Sequence, residues 1–91
     1  MLKIIIKPLT EKGKEALKIH IAEKKKQPLR AKFLYYRVVK EEVIGDDFVL
    51  TFTPKAEMLL DTIKLERGLM RVMESNGAHV KEDYEIIKEV K

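Results

Sequence analysis

Cysteine is absent from the 91 residues, which excludes disulfides, thiolate metal sites and cysteine nucleophiles. Serine occurs once, as Ser75, without the Gly-x-Ser-x-Gly context of a nucleophile elbow. The four glycines form neither a Gly-x-Gly-x-x-Gly turn nor a phosphate loop. The two histidines, His20 and His79, stand in no HExxH, His-x-His or other close ligand spacing. No apolar run approaches the ~18–20 residues that cross a bilayer. The apolar stretch of "MLKIIIKPL" is too short for a signal peptide. The expectation is a cytoplasmic chain with no membrane contact, no cofactor, no metal and no catalysis.

What is present is a globular balance, 45% hydrophobic and 37% charged. With no linker, repeat or low-complexity segment, residues 1–91 are read as a single domain. Lys, Glu, Ile and Val are abundant while Gln and Asn are scarce, a bias that suits a thermophilic source. Charge is unevenly spread. Residues 1–45 carry twelve Lys/Arg against five acids, a net of +7; residues 46–91 carry seven against ten, a net of −3. Such a chain suits either a polyanionic partner or a second copy of itself.

"LKIIIKPL" alternates, with Leu2, Ile4 and Ile6 on one face and Lys3, Ile5 and Lys7 on the other, and predicts a strand ended by Pro8. Thr10 is the N-cap of a helix that carries Ala16, Leu17 and Ile21 and runs to about Lys26, where Pro28 stops it. Lys24, Lys25 and Lys26 fall in its last turn, where cations suit the carbonyl end of the helix dipole. Two strands follow about the turn at "GDD", and "KEE" at 40–42 predicts a bulge or twist in the first of them. Asp46 and Asp47 suit that turn for backbone reasons. Thr53–Pro54 opens the next helical stretch. It is either one helix over 54–76 or a short turn with a second start at Asp61. Leu59, Ile63, Met70 and Met73 form its apolar stripe, widened by Met58, Leu65, Leu69 and Val72, and Asn76–Gly77 ends it. "DYEIIKEVK" is a charged last strand.

The order β-α-β-β-α-β is the split βαβ, or ferredoxin-like, pattern: an α+β sandwich with a four-stranded antiparallel sheet, order 4-1-3-2, and two helices on one face. The proposed central strands are the apolar ones and the proposed edges are charged, as protection against edge pairing requires. The open face then shows Lys3, Ile5, Lys7, Val49, Thr51 and one of Ile86 or Ile87. One of the adjacent Tyr35 and Tyr36 also points outward. A three-residue hairpin loop exposes Tyr35, and a two- or four-residue loop exposes Tyr36. RNA recognition motifs share this element order, but they place aromatics on the central strands, where this chain has Ile5 and Thr51 or Val49.

Two functional readings follow. In the first the basic half binds RNA or DNA through Lys3, Lys7, Lys24, Lys25, Lys26, Arg30, Lys32 and Arg37, with Tyr35 or Tyr36 stacking on bases. In the second the chain is a homodimeric structural or regulatory module that associates through the open sheet face, with Ile5, Val49 and Thr51 at its centre. His20, on the apolar side of the first helix, and His79, in a loop, read as structural residues in both.

Overall fold

The computed structural model describes residues 1–26, 39–59 and 61–90. Their elements run β1 (Leu2–Pro8), α1 (Glu11–Lys26), β2 (Val39–Ile44), β3 (Asp47–Phe52), α2 (Pro54–Leu59), α3 (Thr62–Ser75) and β4 (Tyr84–Val90). The four strands form one antiparallel sheet in the order β2-β3-β1-β4, which is the expected order read from the other edge. None of the described helices is long and apolar enough to cross a membrane.

Strand periodicity decides which residues make the core. Leu2, Ile4 and Ile6 of β1 and Phe48, Leu50 and Phe52 of β3 point to the helices and are buried. They meet Ala16 and Leu17 of α1, Ala56 of α2, Leu69 and Met73 of α3, and Tyr84 of β4. Each large side chain buried there contributes about 1.5–3 kcal/mol of transfer free energy. The edges carry Lys40, Glu41 and Glu42 on β2 and Glu85, Lys88 and Glu89 on β4, which disfavours pairing with another chain's strand.

The β2–β3 hairpin settles the loop length that the sequence left open and corrects one expectation. Ile44 pairs with Asp47, so the loop is the two residues Gly45 and Asp46. Gly45 has φ +62°, as a type II′ turn requires at its first central position. The ladder then runs unbroken from Ile44↔Asp47 to Val39↔Phe52. The bulge expected at 40–42 is therefore not formed: charge at an edge strand needs only solvent on one side, not an inserted residue. Tyr35 and Tyr36 lie outside the described residues.

The stretch after β3 is divided, not continuous. Thr53 caps α2 by accepting the Ala56 N–H at 3.1 Å. Asp61 caps α3 by accepting the Ile63 and Lys64 N–H groups, both at 3.1 Å. The new start resets the helical phase. Leu65, Leu69 and Met73 face the sheet, whereas Ile63 (56% exposed) and Met58 (86% exposed) stand in solvent and do not extend the stripe. Met73 and Glu74 carbonyls accept from Ala78 and Gly77 N–H groups, a Schellman end with Gly77 at φ +95°.

Helix α1 enters the structure at a place of very close approach. Gly13 packs so tightly on the turn before β4 that a Cβ there would lie 1.9 Å from the Asp83 carbonyl oxygen. A Cβ at Gly68, on the outer face of α3, would meet open space. Gly13→Ala is expected to destabilise the fold by about 1–3 kcal/mol or more through overpacking. Gly68→Ala is expected to stabilise it by about 0.5–1 kcal/mol through helix propensity. Urea denaturation of the two variants beside the wild type measures both, and equal effects of the same sign would show the close approach to be wrong.

Candidate interaction face

The registers place the outward residues in three rows across the sheet. Lys40, Thr51, Lys3 and Glu89 form one row, and Glu42, Val49, Ile5 and Ile87 the middle one. Ile44 and Asp47, then Lys7 and Glu85, form the third, with Lys7 one register step beyond the Ile6↔Phe48 pair. Ile87 is thus the outward isoleucine of β4, while Ile86 packs on the core. None of these outward residues belongs to the core cluster beneath the helices.

Its electrostatics differ from what the charge of the N-terminal half suggests. Lys3 stands across the ladder from Glu89 and Lys7 from Glu85, an arrangement that favours the pairing of β1 with β4. Lys40 Nζ lies 3.3 Å from Glu42 Oε1. The face holds three lysines against four carboxylates, a net of −1. Its apolar part is narrow: Val49 is only 5% exposed, and Ile5 and Ile87 are half-buried between the charged rows. The two central strands present no aromatic side chain outward.

Lys24, Lys25 and Lys26 end α1 as expected, and Arg30, Lys32, Tyr35, Tyr36 and Arg37 lie outside the described residues. A different basic surface escaped the reading of the sequence. Lys64, Arg67 and Arg71 share the exposed outer face of α3, at helical spacing i, i+3, i+7. Summing charge by halves of the chain hid them, because the C-terminal half is acidic in total. Helical spacing from Asp61 onward would have shown them.

Of the polar residues considered for chemistry, His20 and Asp46 have structural neighbours that account for them. His20 is buried with its ring edge-on to Phe48, at 6.2 Å between centroids. Asp46 lies 3.7 Å from Lys14 at the hairpin turn, and Ser75 is exposed at the end of α3. Among the described residues no group of three or more His, Asp or Glu could hold a metal ion. A cavity of about 350 Å³ lies between α3 and the turn before β4, lined by Met70, Glu74, His79, Val80, Glu82 and Tyr84. Burial and then the Glu74 carboxylate push the Tyr84 phenol above its ordinary value. Comparison with protein-family models, curated proteins and solved structures finds no match for this chain.

Beside that cavity Asp83 ties two crossovers together. Its Oδ1 accepts from the Thr10 hydroxyl at 2.7 Å, and its Oδ2 from the His79 N–H at 2.9 Å. Thr10 in turn accepts the Gly13 N–H at 3.2 Å and so caps α1. The Asp83 carbonyl accepts from the Leu9 and Thr10 N–H groups. The His79 N–H, followed by the Thr10 hydroxyl, holds the Asp83 carboxyl below its ordinary value of 3.8. A carboxylate with a depressed folded-state pKa stabilises fully above its unfolded value and loses that contribution as pH falls through the folded one. The difference in urea midpoint between wild type and Asp83→Asn is therefore expected to be largest near neutral pH and to shrink below pH 3.8. A difference that grows with acid would contradict this assignment.

Proposed function

We propose that the chain is a non-catalytic interaction module that works as a homodimer, associating through the sheet face opposite the helices. The observation that carries this reading is the pair Ile5 and Ile87, half-buried on adjacent strands in the middle row of that face and backed by the buried Val49 on the next strand. An apolar row framed by polar residues has the anatomy of an interface, with a dry centre and a wet rim. A second copy is the partner that such a face meets most readily, since two-fold pairs of identical surfaces are the commonest assemblies. The absence of outward aromatics from the central strands argues against a base-stacking platform there.

A second reading, nucleic-acid binding, is favoured by one specific observation. Lys64, Arg67 and Arg71 are exposed, and none of them is ion-paired with a described residue. Together with the basic N-terminal half they would neutralise phosphates without reading bases. Binding of labelled single-stranded RNA or duplex DNA would then weaken by orders of magnitude between about 50 and about 200 mM salt. Arg67→Glu with Arg71→Glu would flatten that salt dependence. Absence of binding at micromolar protein in the lower salt removes this reading.

The dimer reading is checked by sedimentation over a range of concentrations. A species of twice the 10.6 kDa chain mass is expected. Ile5→Glu, which puts a charge in the middle row, is expected to give a folded monomer. A wild type that stays monomeric at hundreds of micromolar would overturn the proposal.

A further inference from the structure

The charges on the open face select one way for two copies to stack, and this inference rests on the dimer reading above. Sheets that pack face to face keep their strands roughly aligned, about 30° apart. For two identical sheets the two-fold axis then runs either along the strands or across them. We infer that it runs along the strands, through the middle of the sheet, so that β1 lies over the partner's β3 and β2 over the partner's β4.

Rotation about an axis along the strands keeps each residue in its own row and exchanges left with right. With the order β2-β3-β1-β4, Ile5 then faces Val49 of the partner subunit, at the centre. Lys40 faces Glu89 of the partner subunit, and Lys7 faces Asp47 of the partner subunit. Each contact occurs twice, and no like charges meet. An axis across the strands exchanges the two outer rows instead. Lys3 would then face Lys7 of the partner subunit, Glu89 would face Glu85 of the partner subunit, and Glu42 would face its own copy. Like-charge juxtaposition across an interface costs several kcal/mol. The same residues therefore favour one arrangement and oppose the other.

Lys40 and Glu89 give the cleanest test, because they sit on opposite edges of one sheet and meet only between copies. Both are exposed, so substitution is expected to leave the fold intact, which circular dichroism and a urea midpoint verify. Lys40→Glu alone and Glu89→Lys alone are each expected to weaken the homodimer about tenfold or more. A mixture of the two variants restores both Lys–Glu contacts and is expected to form a heterodimer near wild-type affinity, counted by native mass spectrometry. If the wild type dimerises but the mixture gains nothing over the single variants, this arrangement is wrong while the dimer reading stands. If Glu89→Lys tightens its own homodimer, the axis across the strands is the right one. If the wild type never dimerises, the dimer reading itself fails and this inference with it.

Discussion

The contact on which the most structure depends is the seating of the Asp83 peptide against Gly13. It removes the space that any side chain would need at the start of α1. It also satisfies N–H groups of the β1–α1 turn, which would otherwise be left without a partner in the protein. The carboxylate of the same residue holds Thr10 and the His79 N–H. The entry to the first helix and the exit from the last one are thereby fixed to each other, at one end of the paired central and edge strands β1 and β4. Asn76 adds a second tie by donating to the Ala16 carbonyl at 3.3 Å. Once the helices are placed from these two ends, Leu17, Leu69 and Met73 can only meet the sheet face that carries Ile4, Leu50 and Phe52.

That placement also creates the face available for function. With the helices held on one side, the other side presents whatever the alternation leaves over. What is left over is an apolar middle row between two rows of mixed charge. Neither half of the chain predicts the balance of that surface. The lysines of β1 come from the basic half, the glutamates of β4 from the acidic half, and the sheet interleaves them. A chain that looked polarised along its sequence is therefore nearly neutral on this face, and the basic surplus of its described residues lies on the helices α1 and α3 instead.

Much of this was legible in advance. The alternation of "LKIIIKP" and "DFVLTF", the Thr10 and Thr53 caps and the Asn76–Gly77 stop each rest on local chemistry, and each appears where that chemistry puts it. The readings that changed were those in which a neighbour decides. Ile63 and Met58 fit a helical stripe, but with the stretch divided into two helices both stand in solvent. "KEE" interrupts an apolar pattern, but an edge strand accommodates it without a bulge. Gly13 and Asp83, 70 positions apart, carry no local signal at all: a glycine in a helix and an aspartate before a strand are ordinary until they touch.

The sequence by itself determined the element order, the strand order and the faces of β1 and β3, because periodicity and capping act over a few residues and a right-handed crossover leaves little choice of topology. Only the tertiary structure decided the hairpin loop length, the division of the second helical stretch and the close seating of Gly13. It alone also decided the rows of charge that oppose or attract a second copy. These depend on register, and register is set by contacts between residues far apart in the chain.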